Sequence, residues 1–278
     1  MEPRHDRDGW RGLFDHDAVG YAAARPGYPP RVFELLVDRA GLGPGTRVVE
    51  IGPGTGQATG PLLDAGAEVV AVELGSALAE VLAATNRGRP LRVRVAPFET
   101  IEPAEDDPDL GPGRADLIVS ATAFHWLPVD DALDRCARLL RPGGHLALWW
   151  NVFGDPDRPD PFHDALQPLL AARAPSLLPA PSPAGRPTPA PALDVERWRA
   201  AIDRTGRFGP VHHEVVAWTG RHDPAELRAL FASFSPWLAL PAAIREPLLD
   251  ELAALAAGRF DGEVARPYLT PIYLAARR

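Results

Sequence analysis

The sequence predicts an α/β protein: a parallel sheet covered by helices on both faces, followed by a more helical second half. Three observations carry this expectation. Between residues 44 and 151, short β-branched runs alternate with helix-forming segments, the pattern of a layered α/β sheet. Those runs are apolar almost throughout rather than at every second position, as in strands buried on both faces. The first run also feeds straight into a turn of closely spaced glycines that opens a helix.

The elements follow in order. Residues 30–40 fit a helix. Arg47-Val48-Val49-Glu50-Ile51 is a strand, Gly52-Pro53-Gly54-Thr55-Gly56 a turn, and 57–65 a helix stopped by Gly66. A second strand spans 68–73, an Ala- and Leu-rich helix 76–86, and a third strand 91–96. Asp116-Leu117-Ile118-Val119-Ser120 is the fourth strand. A helix over 130–140 ends at Arg141-Pro142-Gly143-Gly144, and 145–150 is the fifth strand. Past Asn151 the periodicity weakens. Helices are expected over 162–172, 194–205, 223–234 and 242–257, and strands over 211–218 and 270–276. Residues 175–191 hold seven prolines and read as an extended connection or a mobile loop.

Composition excludes several chemistries. The formal charge is −8, and all 29 basic residues are arginine. Without lysine there is no Walker-type phosphate lysine and no Schiff base. The acidic balance argues against nucleic-acid partners. Cys136 is the only cysteine, so neither an intrachain disulfide nor a cysteine-based zinc site can form, and it reads as a buried structural thiol. His212 and His213 are adjacent in a strand, point to opposite faces and cannot chelate one ion. No metal is expected. No apolar run approaches the ~18 residues of a membrane span. The N-terminus is polar and unlike a signal peptide, which leads to a cytoplasmic expectation.

The informative segment is Glu50-Ile51-Gly52-Pro53-Gly54-Thr55-Gly56-Gln57. Glycines let a backbone turn sharply and approach a ligand closely. The dinucleotide fingerprint would need glycine at Gln57 or Thr59, so nicotinamide and flavin cofactors lose support. Glu73 ends the second strand 19 residues past Gly54, where a carboxylate accepts the hydroxyls of a ribose.

Glu50-Ile51-Gly52-Pro53-Gly54-Thr55-Gly56, Glu73, Asp116-Leu117-Ile118-Val119-Ser120 and Leu140-Arg141-Pro142-Gly143-Gly144 together resemble the ordered motifs of class I S-adenosylmethionine-dependent methyltransferases. The leader Tyr21-Ala22-Ala23-Ala24-Arg25-Pro26-Gly27-Tyr28-Pro29 and the stretch Phe124-His125-Trp126 are similar to a small-molecule branch that includes trans-aconitate and juvenile-hormone-acid types, which esterify carboxylates. The resemblance implies a Rossmann-like sheet with a helical lid, S-adenosylmethionine as cofactor and S-adenosylhomocysteine as product. It places Gly52 and Gly54 under the methionine portion with Glu50 near its ammonium, and counts Gly56 and Gln57 among the cofactor-binding residues. Glu73 binds the ribose and Leu74 packs on the adenine. Pro97 and Phe98 seat the adenine edge, in a chain that carries Ala96 where many relatives carry aspartate. Ser120 and Ala121 line the methionine side. Tyr21 and Arg25 close over the cofactor, Arg25 being equally readable as a surface ion pair.

The implied organisation is an N-terminal cap segment over 1–30, a cofactor-binding core over 31–151, and a lid insertion over 152–210 with the proline-rich loop 175–191. Residues 211–278 supply C-terminal strands completing the sheet, with a helical lid over 224–260. Tyr21, His125, Trp126 and Trp150 are the candidate acceptor residues. His125 has three open roles: base for a hydroxyl or amine acceptor, hydrogen-bonding partner of a carboxylate, which is already ionised at pH 7, or a structural histidine that shapes the loop. Trp126 reads as packing as much as contact. Phe153, Phe162, Trp198, Phe231, Phe234 and Trp237 suggest a partly hydrophobic acceptor, or the core of the lid itself. The first expectation is methyl transfer to a small organic acceptor, a carboxylate or a natural-product intermediate. The alternatives are an RNA or protein methyltransferase, and a methyltransferase fold that uses the cofactor structurally for a reaction such as cyclisation. No oligomeric state follows from the sequence.

Overall fold

The computed structural model describes residues 25–178 and 190–278. Helix α1 (Pro30–Ala40) begins on Pro30, whose fixed φ suits a first helical residue, and ends on Gly41 at φ +68°. Strands β1 (Arg47–Ile51), β2 (Glu68–Glu73), β3 (Leu91–Val95), β4 (Ala115–Ala121) and β5 (Leu140–Trp149) are mutually parallel in the order β3-β2-β1-β4-β5. Helices α2 (Thr59–Asp64), α3 (Ser76–Thr85) and α4 (Val129–Leu139) connect them. A two-residue strand, β6 (Val152–Phe153), is followed by α5 (Pro161–Arg173), α6 (Val195–Arg204) and β7 (His212–His222). Helices α7 (Pro224–Ala232), α8 (Ser235–Leu238) and α9 (Ala242–Arg259) precede β8 (Val264–Ala276). β8 runs antiparallel to β5 and carries β7 on its other edge, while β6 continues the line of β5 along β8.

Alternate residues of the sheet feed two cores. Val49, Ile51, Ile118, Leu146 and Leu148 pack with α4 and α6 on one face. Val48, Leu117, Val119, Ala147 and Trp149 pack with α1 and α2 on the other. Cys136 is fully buried in the first of these cores. A third cluster joins α5, α7, α8 and α9 through Phe162, Leu166, Leu227, Phe231, Trp237 and Leu249. This helical unit is tied to β8 by Arg266, which places two N–H groups on Asp160 and lies over the rings of Phe162 and Phe231. The other oxygen of Asp160 caps α5 at His163 N, 2.9 Å away. The aromatic set expected for the lid is therefore split. Phe162, Phe231 and Trp237 belong to the helical cluster, whereas Trp198 lies in the core of the sheet.

Several boundaries move, each for a local reason. The helix expected from Gln57 starts at Thr59, the residues from Gly54 to Ala58 forming turns first. The stretch Arg141-Pro142-Gly143-Gly144, expected as a terminator, lies inside β5. There the register steps from Ala115–Leu140 to Leu117–His145, so the extra residues bulge out of the ladder. The helix expected over 223–234 breaks after Ala232 and restarts with Pro236 in its first turn. β7 and β8 both run longer than expected. Pro267 and Pro271 interrupt the strand pattern in sequence, but each turns its carbonyl toward the β5–β6 edge, accepting from Gly154 N and Trp150 N. Their missing N–H groups fall on that broken edge and not on the β7 ladder. No helix among the described residues is long and apolar enough to cross a membrane.

Candidate active site

A cavity of about 490 Å³ opens at the C-terminal ends of β1, β2 and β4, where ligands of open α/β sheets bind. Its floor is the glycine turn. Gly52 adopts φ +65°, and a side chain there would bring its Cβ within 2.6 Å of the Ala123 Cβ. Glycine is thus required twice over, by backbone conformation and by the approach of the loop after β4.

Glu73 closes one end. It is 6% exposed and lines the cavity. Its Oε2 accepts from Gly54 N and its Oε1 from Gly75 N, both at 2.9 Å. These amides lock the carboxylate against the turn. Leu74, Ala96 and Phe98 continue this wall.

Glu50 lies one residue before the turn. It is fully buried, with Oε2 accepting from the Thr59 hydroxyl at 2.6 Å and Oε1 without a partner. Burial pushes its carboxyl up to about 7, against the lowering effect of the Thr59 bond and with help from the Glu73 charge.

The other end of the cavity is aromatic. Trp126, Phe153, Phe234 and Trp237 line it, together with Leu177. Polar groups converge among them. Tyr28 Oη and Thr122 Oγ1 are 3.0 Å apart, and Asn151 N donates to the same Oγ1. Thr122 sits at φ +57°, a strained conformation for a β-branched residue, and this turns the chain after β4 so that Ala123 and His125 reach the wall. Arg25 donates to Ser233 O and lies over the Phe234 ring, joining the N-terminal segment to the helical cluster.

Of the residues singled out from the sequence, Arg25, Gly52, Gly54, Gln57, Glu73 and Leu74 meet on the wall. So do Phe98, Ala121, His125 and Trp126. Tyr21 lies outside the described residues, as do 179–189 of the proline-rich loop. Five expected wall residues are elsewhere. Glu50 is buried off the wall. Gly56 instead makes room for Leu82, since a Cβ there would come within 2.7 Å of Leu82 Cδ1. Pro97 yields the wall to its neighbours Ala96 and Phe98. Ser120 is fully buried and ties β4 to β1 through Ile51 O. Trp150 turns into the core, where its indole N–H reaches His125 Nδ1 at 3.0 Å. Sequence reasoning missed Tyr28, Thr122 and Asn151. They come from three distant segments with no local pattern, and only the left-handed Thr122 among them breaks a backbone rule. Among the described residues no group of three or more His, Cys, Asp or Glu is placed to hold a metal ion.

Residues 49–148 match the family model described as a methyltransferase domain. An uncharacterized methyltransferase of Mycobacterium tuberculosis is 31% identical over 258 residues, 91% of each chain. The malonyl-[acyl-carrier protein] O-methyltransferase of Methylococcus capsulatus is 32% identical over 152 residues, 52% of each chain. Among solved structures, phosphoethanolamine N-methyltransferase 2 of Haemonchus contortus in complex with S-adenosyl-L-methionine has the same fold. It aligns with a TM-score of 0.56 at 15% identity, over 97% of this chain and 59% of that one. With the sheet order, the glycine turn and the Glu73 carboxylate already in place, these likenesses make the chain a member of the class I S-adenosylmethionine-dependent methyltransferases.

Proposed function

We propose that the protein methylates a small organic acceptor, with a carboxylate as the favoured acceptor group. The observation that carries this reading is one continuous cavity whose wall includes both Glu73 and an aromatic group with His125. Its size suits small molecules. The Methylococcus relative, an O-methyltransferase, agrees with an oxygen acceptor.

The fit to the cofactor rests on the donor set. Glu73, a carboxylate on the cavity wall, would accept from the ribose hydroxyls. Leu74, Ala96 and Phe98 flank the adenine. Gly52, Gly54, Gln57 and Ala121 would border the methionine portion, and Arg25 on the same wall would supply a cation for its carboxylate. Glu50 favours the ammonium from behind the wall through its charge. When bound, S-adenosylmethionine supplies a methyl group already activated on a sulfonium. The chain's own residues then bind, orient and exclude water. Trp126, Phe153, Phe234 and Trp237 desolvate the acceptor, and His125 holds its reacting end. In this reading residues 31–151 are the cofactor core, and the helices within 161–178 and 224–260 form the lid.

The test is incubation with isotopically labelled S-adenosylmethionine and a panel of small carboxylic acids, phenols and amines. Calorimetry with S-adenosylmethionine, S-adenosylhomocysteine and NAD runs alongside. Label is expected in methyl esters, with binding of the first two ligands and not of NAD. Absence of S-adenosylhomocysteine binding would overturn the cofactor site. Tight binding without transfer to any acceptor would overturn the transferase reading.

A further inference from the structure

His125 lies in the turn Phe124–Trp126 and lines the cavity. The indole Nε1 of Trp150 is 3.0 Å from its Nδ1. An indole N–H can only donate, so Nδ1 carries no hydrogen and accepts. The neutral imidazole then holds its proton on Nε2, at the far edge of the ring from Trp150. Turning the ring over would set a ring C–H against the indole and leave a buried donor unpaired, which structures avoid.

The indole is itself fixed. Trp150 is 4% exposed. It stacks on Trp198, with centroids 4.6 Å apart, and meets the edge of Tyr273 at 6.1 Å. Both partners are anchored to the segment before α6. Trp198 Nε1 donates to Pro191 O at 3.1 Å, and the Tyr273 hydroxyl donates to Ala192 O at 2.8 Å. Swinging the indole away from His125 would break that stack.

We infer that Trp150 is a positioning residue that holds His125 as an N–H donor at Nε2, so that His125 steadies an oxygen of the acceptor and does not take a proton from it. This rests on the methyl-transfer reading. To act as a base at Nε2, the ring would have to move its proton to Nδ1, where it would face the indole N–H. The acceptor atom must therefore arrive with its lone pair already free. A carboxylate does so, while a phenol or an ammonium does not. Among the described residues, the other titratable groups on the cavity wall are Arg25, Tyr28 and Glu73. The Glu73 carboxylate is held at the opposite end by its two amides, and Tyr28 is engaged with Thr122.

The direct test is nuclear magnetic resonance of the full chain with 15N-labelled histidine, the His125 signals being assigned by their loss in His125→Gln. The expected wild-type spectrum shows one tautomer, protonated at Nε2. In Trp150→Phe the ring keeps an aromatic neighbour but loses the N–H, and the tautomer ratio shifts by roughly 3- to 10-fold, the equivalent of one neutral hydrogen bond. An Nδ1–H tautomer in the wild type overturns the inference whether or not Trp150→Phe folds.

The second test is kinetic. Glutamine can donate but cannot serve as a base, so His125→Gln is expected to retain transfer within about 10-fold while His125→Ala loses more. Wild-type kcat is expected to stay flat as pH falls through the range where imidazoles usually titrate. Methylation of phenols or amines with a rate that falls over that range, unrescued by glutamine, overturns the donor role and leaves methyl transfer standing. Tight cofactor binding with no transfer to any acceptor removes the function proposed above, and the tautomer result still decides the role of Trp150.

Discussion

Glu50→Gln separates the energetic burden of the buried carboxylate from everything around it. The wild-type side chain is fully enclosed, with one oxygen on the Thr59 hydroxyl and the other without a partner. Burial chiefly, opposed by the Thr59 bond and aided by the Glu73 charge, lifts the carboxyl from its ordinary 4.5 to about 7. A group whose pKa is raised on folding binds more protons in the native than in the unfolded state. Its stabilising contribution is full below about pH 4.5 and is lost as pH rises through about 7. At about 1.4 kcal/mol per pH unit, the loss amounts to about 3 kcal/mol. Glutamine keeps an oxygen for Thr59 and cannot ionise, so it mimics the protonated acid at every pH. Guanidinium unfolding of the ligand-free proteins at pH 5 and pH 8 is the assay. The wild type should fall by about 2–3 kcal/mol relative to Glu50→Gln between the two pH values, since part of the contribution is already lost at pH 5. Taking the difference between the two proteins cancels every other titrating group. Stabilities that change in parallel would refute the reasoning, because Glu50 would then titrate like an exposed carboxyl.

Three further outcomes follow from the same geometry. Glu73→Gln sets an amide NH₂ against one of the two backbone amides it now accepts from, and calorimetry should show S-adenosylmethionine and S-adenosylhomocysteine binding weakened by roughly 10- to 150-fold, the worth of a hydrogen bond to a charged group. Unchanged affinity would remove the ribose role. Gly52→Ala places a Cβ 2.6 Å from the Ala123 Cβ at φ +65°, costing ~1–2 kcal/mol for the backbone alone, so a lowered Tm and weaker cofactor binding should appear together. Arg266→Ala removes the cation paired with the half-buried Asp160, and urea unfolding should register a loss of about 2–4 kcal/mol. A loss under 1 kcal/mol would mean that water reaches Asp160.

The half of the fold that the sequence makes legible is the half ruled by local pattern. β1, β2, β4 and the body of β5 are dense in Val, Ile and Leu because both faces of the sheet are covered, and the Gly52–Gly56 turn breaks that density sharply. Glu73 is legible because its distance from the turn is set by one helix and one strand. β7 and β8 are less so, since the effect of Pro267 and Pro271 depends on which edge their missing N–H would face. The two tryptophans at the end of β5 show the limit of alternation. Trp149 and Trp150 do point to opposite faces, but both faces are layered with helices. Trp149 packs against Tyr28 and Phe33 of the N-terminal side, and Trp150 against Trp198. The polar acceptor end was hidden because Tyr28, Thr122 and Asn151 are brought together only by the strand order and by a left-handed residue at Thr122.

The stack of Trp150 on Trp198 also has an optical consequence. Two indole chromophores 4.6 Å apart, with ring planes inclined at 33°, exchange excitation energy and give a split circular-dichroism band instead of two independent ones. That couplet reads the fit between the segment just after β5, which bears Trp150, and the helix bearing Trp198. It vanishes in Trp198→Phe, while Trp126 and Trp237, on the cavity wall, remain as separate emitters exposed to whatever enters. The molecule thus carries two built-in colours of signal: one for the integrity of the support beneath His125, the other for occupancy of the cavity above it.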